Sequence, residues 1–211
     1  QRSDIVSKTK RIVVKVGSSI LTTESGYLSP HKVRSVVESI ASLLRHEQKE
    51  VILVTSGAIA CGMHILKLKK RPHDLALLQA AAAVGQGKLM HTYKEFFRKK
   101  RIRVGQILLT SDGLHKRKRY LNARNTVNAL LHLGVLPIVN ENDTVATEEI
   151  RFGDNDNLAA QVALMSNADM LVLLSDVDGF CIRENNTCSV LHTVDRIDED
   201  LRSHLREVKK G

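Results

Sequence analysis

Two acidic, amide-rich segments hold the residue types best suited to chemistry. Asn140-Glu141-Asn142-Asp143 directly follows the apolar run Val135 to Val139, and Gly153-Asp154-Asn155-Asp156-Asn157 precedes a helix-like stretch. Asn, Asp and Glu are poor core residues, and so many together need water or a polar ligand to satisfy them. Polar side chains at the C-terminal end of a buried strand stand where open α/β sheets bind their ligands. An exposed Asx-rich turn is the competing account from local composition alone.

Three further strand ends carry similar groups. In Ile12-Val13-Val14-Lys15-Val16-Gly17-Ser18-Ser19 a lysine sits inside an apolar strand just before a small-residue turn. Burying that lysine uncompensated is costly. Gly17 lets the backbone approach a ligand closely, and Lys15 supplies a cation for phosphoryl oxygens. The alternative is an edge lysine whose ammonium snorkels to solvent. Thr55-Ser56-Gly57-Ala58 leads from a second strand into a helix, where backbone N–H groups and the helix dipole suit a carboxylate or phosphate. The Ser56 hydroxyl can hold substrate there or simply cap the helix. Leu174-Ser175-Asp176-Val177-Asp178-Gly179 could contact a nucleotide or its metal, and is equally an ordinary turn. Gly85-Gln86-Gly87-Lys88 resembles the tail of a P-loop, but GxxxxGK[ST] would need Gly at Ala82 and Ser or Thr at Leu89. Tight helix packing around small residues accounts better for it.

The elements that must position these groups alternate along the chain. Ile12 to Val16, Val51 to Thr55, Val104 to Thr110, Val135 to Val139 and Met170 to Leu174 read as strands buried on both faces. Helices are expected from Pro30, with Ser29 as cap, and over Ala58 to Leu68, Asp74 to Arg98, Arg117 to Leu133 and Asn157 to Asn167. Repeated strand-helix-strand units imply a mainly parallel sheet with helices on both faces. After Gly179-Phe180 the sequence turns polar, with a weak strand at Ser189 to Leu191.

Composition narrows the class. With 43% hydrophobic and 26% charged residues, 211 residues can bury a core as one domain. No apolar run approaches the roughly 20 residues of a membrane span, and Gln1 to Lys10 lacks the apolar centre of a secretory signal, so a cytoplasmic location is the default. Cys61, Cys181 and Cys188 lack CxxC spacing and read as reduced structural thiols. The net charge of +9 raises nucleic acid as a partner. With three tyrosines, four phenylalanines and no tryptophan, however, stacking platforms for bases are scarce. The basic clusters Lys67 to Arg71, Arg98 to Arg103 and His115 to Arg119 read instead as solvated helix faces or attraction for an anionic nucleotide.

Taken in order, the motifs closely resemble the amino-acid kinase family. The matching pieces are Val14 to Ser19, Val54-Thr55-Ser56-Gly57-Ala58-Ile59-Ala60, Ala83-Val84-Gly85-Gln86, Gly105-Gln106-Ile107-Leu108-Leu109-Thr110, Tyr120-Leu121-Asn122-Ala123-Arg124, Pro137 to Asp143, Gly153 to Leu158 and Leu174 to Gly179. The two acidic segments, with Ser56 to Ile59 and Leu121 to Arg124, point to the family's glutamate-phosphorylating branch. The resemblance implies an α/β open αβα sandwich with a mainly parallel sheet, its C-terminal part incomplete. Residues 1–170 would form approximately the amino-acid lobe, and 171–211 the start of the nucleotide lobe. It further implies transfer of the γ-phosphoryl group of ATP, with Mg2+, to the side-chain carboxylate of L-glutamate, opening the route to proline. Proline would be a feedback inhibitor, and the protein a homo-oligomer, dimer or tetramer.

By residue, the resemblance makes Lys15 and Asp156 catalytic, with Lys15 bridging phosphates and Asp156 orienting lysines. Ser56, Gly57, Asp143 and Asn155 would hold glutamate; Lys15, Gly17, Ser175 and Asp176 would meet ATP; no side chain is assigned to metal. These roles fit the chemistry. Transfer between two anions needs cations and N–H donors on the phosphoryl oxygens, while a carboxylate nucleophile is already ionised near neutral pH and needs no general base. The nine histidines need no catalytic role. A kinase of a related acid, such as acetylglutamate or aspartate, and a non-catalytic amino-acid-binding regulatory or assembly module are the alternatives.

The family pattern also has a glycine-rich loop of the GTGGMxTK type, carrying a second catalytic lysine, which Lys209-Lys210-Gly211 does not reproduce. These 211 residues alone are therefore expected to turn over poorly or not at all. Phosphorylation assays on this chain and on a version extended past Gly211 check this; comparable rates would refute it.

Overall fold

The computed structural model describes residues 2–23, 26–145, 155–177, 179–184, 187–199 and 201–202. They divide into two units, Gln1–Leu174 and Ser175–Gly211. The first unit runs α1 (Arg2–Lys8), β1 (Arg11–Val16), α2 (Ser18–Leu21), α3 (Pro30–Arg45), β2 (Glu50–Thr55), α4 (Ala58–Ile65), α5 (Leu75–Lys99), β3 (Arg103–Leu109), α6 (Ser111–Leu114), α7 (Arg117–His132), β4 (Val135–Glu141), α8 (Asn155–Met165) and β5 (Met170–Leu174). The described part of the second unit holds one antiparallel pair, β6 (Phe180–Glu184) and β7 (Thr187–Leu191). The expected short strand at 189–191 is the end of β7. Its partner β6 has no expected counterpart, because the residues after Gly179-Phe180 are largely polar. No described helix is long and apolar enough to cross a membrane.

The first unit is an α/β sandwich around a five-stranded sheet in the order β3-β4-β2-β1-β5, all pairs parallel. Strand alternation sorts side chains between two cores. Ile12, Val14, Val16, Val51, Leu53, Leu136 and Ile138 face α3 and α5. Val13, Ile52, Val54 and Val139 face α7 and α8. Lys15 shares the parity of Val13 and so lies on the α8 side; Asn140 shares that of Leu136 and Ile138 and lies on the α5 side.

β1, β2 and β4 are buried as the apolar runs predict, but β3 is not. Nor is β5: these are the two edge strands, with Arg103 and Gln106 exposed and Leu108 38% exposed in β3, and Leu173 47% exposed in β5. Hydrophobicity alone cannot tell an outer strand covered on one face from an inner one. The eighth helix also starts earlier than its apolar periodicity shows. Asn155 and Asp156 already belong to its first turn, where an acidic side chain is favoured by the helix dipole.

Local signals set the helices that flank the sheet. Ser29 Oγ accepts from Lys32 N at 3.4 Å ahead of Pro30, and Asp74 Oδ1 accepts from Leu77 N at 2.9 Å at the start of α5. α4 and α5 then cross at unusually close range through glycine. A Cβ on Gly62 would fall 1.7 Å from Ala81 O, and one on Gly85 would fall 1.8 Å from Ala58 O. Those contacts are backbone, which cannot swing aside. The crossing presses the middle of α5 against the start of α4, immediately behind the end of β2.

Gly85→Ala is therefore expected to cost about 3 kcal/mol or more, lowering the thermal midpoint by roughly 6–12 °C. Gly87→Ala, in the same helix with nothing within 4 Å of the added carbon, should be neutral or gain up to about 1 kcal/mol. Equal midpoints for the two variants would contradict this account.

Candidate active site

At the C-terminal edge of the sheet the ends of β1, β2 and β4 meet the first turns of α4 and α8. Lys15 is 7% exposed, and its Nζ lies 2.5 Å from Asp156 Oδ1. The strand lysine is thus no edge residue. β1 has neighbours on both sides, and the carboxylate that compensates its charge comes from the helix on its own face. Gly17 has ordinary extended torsions, φ −67° and ψ 157°, and its N–H donates to Leu174 O at 3.1 Å. What glycine leaves open there is space, since a Cβ would lie 3.8 Å from Lys15 Nζ.

Beside Lys15 and Gly17 is a cavity of about 80 Å³ lined by Ser18, Ser56, Gly57, Ala58, Ile59, Ala60, Arg71, Asn140, Asp143 and Asn155. Gly57 is the N-cap of α4 in the left-handed region, φ +104°, and as a glycine it supplies no side-chain cap. The N–H groups of its first turn have no intrahelical acceptor, so the cavity has the character of an anion site. Ser56 is buried beside it, and Arg71, exposed in the α4–α5 connection, adds a cation.

The same cavity carries an acid and a row of carboxamides. Burial pushes the Asp143 carboxyl up to about 6, against the lowering pull of the Arg71 guanidinium. Asn155 Nδ2 donates to Thr55 O at 2.6 Å and to Asn140 Oδ1 at 2.9 Å; Asn140 Nδ2 donates to Gln86 Oε1 at 2.7 Å. Both hydrogens of Asn155 are thereby engaged, and what Asn155 can offer a ligand is its carbonyl oxygen. Behind this row Thr55 Oγ1 and Tyr93 Oη lie 3.0 Å apart, and burial holds the Tyr93 hydroxyl above its usual range. A cavity with acceptors and N–H donors together suits a zwitterion, its ammonium at Asp143 and Asn155, its carboxylate at Ser56 and the α4 N-terminus.

The first acidic segment therefore divides its labour. Asn140 is buried in the amide row, and Asp143 faces the cavity. Glu141 Oε1 accepts from Ser111 N at 3.3 Å, and Asn142 N donates to Leu109 O. The latter two fasten the loop to the end of β3. In the second segment Gly153 and Asp154 lie outside the described residues, as do Asp178 and the chain end at 209–211. Ser175 and Asp176 are exposed at the start of the second unit. Lys15, Gly17, Ser56, Gly57, Asp143, Asn155 and Asp156 are brought together at one edge.

Sequence reading gave no role to Ser18, Arg71, Asn140 or Gln86. Strand parity could have placed Asn140. Nothing in the cluster Lys67 to Arg71 separates Arg71 from its solvated neighbours.

The chain belongs to the amino acid kinase family, whose model matches residues 10–206. It is similar to glutamate 5-kinase of Streptomyces coelicolor, 57% identical over 174 residues, covering 82% of this chain and 46% of that protein. It is also similar to glutamate 5-kinase of Clostridium acetobutylicum, 48% identical over 96% of this chain and 76% of that protein. To the Carboxydothermus hydrogenoformans enzyme of the same name it is 49% identical, over 94% of this chain and 54% of that protein. The chain thus spans about half the length of most of these relatives.

A carboxyl whose folded pKa is raised binds protons more tightly folded than unfolded. Its stabilising effect is greatest at low pH and is lost as pH rises from about 3.8 to about 6. Asp143→Asn is expected to remove a cost of about 1–3 kcal/mol at pH 7.5 and raise the thermal midpoint there. The gain should shrink toward pH 4. A variant less stable than the parent at pH 7.5 would show that the carboxylate is compensated.

Proposed function

We propose that this protein phosphorylates the side-chain carboxylate of L-glutamate with ATP, giving L-glutamyl 5-phosphate. The observation that carries the reading is the meeting of a buried, carboxylate-held lysine with a cavity offering both an acid and a helix N-terminus begun by a glycine without a side-chain cap. Identity of 48–57% to proteins named glutamate 5-kinase supports the choice of substrate.

In this reading Asp143 and the Asn155 carbonyl hold the α-ammonium, while Ser56, Gly57 and the first N–H groups of α4 hold the α-carboxylate. The side-chain carboxylate, ionised near neutral pH, attacks the γ-phosphorus without a general base. An O–P bond forms to the carboxylate, the bond to the β–γ bridging oxygen breaks, and ADP leaves. Lys15 offsets the repulsion between the two anions, and Asp156 holds the ammonium where charge develops. The space left by Gly17 admits phosphoryl oxygens beside Lys15 Nζ. Ser175 and Asp176 are assigned to the nucleotide.

Among the described residues no three His, Cys, Asp or Glu side chains gather as a metal cage. Mg2+ would be carried largely on the nucleotide phosphates, which it binds with one or two carboxylates and water. When bound, the ion would neutralise phosphate charge. Proline offers a carboxylate and a secondary ammonium, the two groups the cavity can pair, and is assigned as an inhibitor acting there. Assembly as a homo-oligomer in the cytoplasm completes the reading.

The test is acyl phosphate formation, trapped as the hydroxamate with hydroxylamine, in a version extended past Gly211. Glutamate and ATP together should give hydroxamate. Lys15→Ala should lower the rate about a hundredfold, roughly 3 kcal/mol of barrier. A loss below threefold would remove Lys15 from the mechanism, and no hydroxamate from the unaltered protein would overturn the function.

A further inference from the structure

The amide row behind the cavity does not end at Asn155. Thr55 O can only accept, so Asn155 must turn its NH2 toward it, at 2.6 Å. The same nitrogen reaches Asn140 Oδ1 at 2.9 Å, which leaves Asn140 with its NH2 toward α5. There Gln86 Oε1 accepts it at 2.7 Å. The row keeps one polarity with an acceptor at each end: Thr55 O fixes Asn155, and the far acceptor satisfies the NH2 that Asn140 is left to donate. Thr55 supplies one through its backbone; Gln86 supplies the other.

Gln86 accepts this role at a cost. Its Nε2 is buried and has no hydrogen-bond partner among the described residues. Turning the amide to relieve that donor would set two NH2 groups face to face. The location follows from the glycine crossing of α4 and α5: Gly85 lies against the Ala58 carbonyl and Gly62 N, at 1.8 and 2.4 Å from its missing Cβ. The next residue thereby meets the end of β4.

We infer that Gln86 is a positioning residue for recognition of the α-ammonium. It acts through Asn140 to keep the Asn155 carbonyl oxygen turned to the ligand, and it touches no reacting atom. The inference rests on the amino-acid reading of the cavity. It predicts an effect on selectivity between ligands with and without an ammonium, which loss of packing alone would not produce.

Gln86→Met keeps length and shape but removes the acceptor, whereas Gln86→Glu keeps an acceptor. Calorimetry on the 211-residue chain with L-glutamate and with glutarate, which lacks the amino group, should show glutamate preferred. Q86M should weaken glutamate binding about tenfold or more and leave glutarate within twofold; Q86E should keep the preference within threefold. A folded Q86M that keeps the preference, or loses both ligands equally, overturns the inference. Should Q86M fail to fold, Gln86→Asn, with a shorter reach, gives the same comparison.

If the unaltered chain binds neither ligand, the amino-acid reading fails, and the row is still decided by the side-chain amide NMR signals of Asn155. Displaced and faster-exchanging signals in Q86M support the coupling; unmoved signals overturn it.

Discussion

An ammonium group inside a parallel strand is the constraint on which the site depends. β1 lies between β2 and β5, so Lys15 has no solvent to reach sideways, and its charge must be met from the layer above. Strand alternation decides which layer: Lys15 faces the side covered by α8, and Asp156 in the first turn of that helix meets it. Once Asp156 is fixed there, Asn155 is fixed beside the end of β2, where Thr55 O and Asn140 receive its amide hydrogens. One ion pair thus sets the register of the helix that delivers two of the candidate site residues.

A second constraint acts from the other face. α4 begins at Gly57 in a left-handed conformation with no side-chain cap. Its N-terminal N–H groups are aimed at the cavity because α5 crosses α4 through Gly62 and Gly85 with backbone nearly touching backbone. A helix begun without a side-chain cap and a carboxyl held above its ordinary range are each unfavourable for the apo fold. In the proposed reading a zwitterion's carboxylate would meet those N–H groups, and its ammonium would join Arg71 at Asp143.

Much of this was legible in the chain. The five apolar runs gave the strands, and the polar residues just after three of them gave the site edge, because parallel strands deliver their C-terminal ends to one side. Less legible were features that depend on neighbours. β3 reads like β4 in hydrophobicity, yet it is outermost and half-exposed. Arg71 looks like the lysines around it, and Gln86 like one more residue of a helix packed through its small neighbours. The sequence assigns Asn155 to glutamate without saying which end of its amide is free, and Thr55 and Asn140 engage both of its donors.

By itself the sequence determined the alternation of strands and helices, the residues at strand ends and the likeness to the amino acid kinase family. These depend on periodicity and local composition, which a single chain carries in full. Only the tertiary structure decided that Asp156 reaches Lys15 from the helix on its own face, which end of each amide faces the cavity, and which helix begins without a side-chain cap. Those outcomes are set by partners that lie far apart in sequence, such as Thr55 with Asn155 and Gln86 with Asn140. Hydrogen-bond polarity belongs to the pair, and no residue carries it alone.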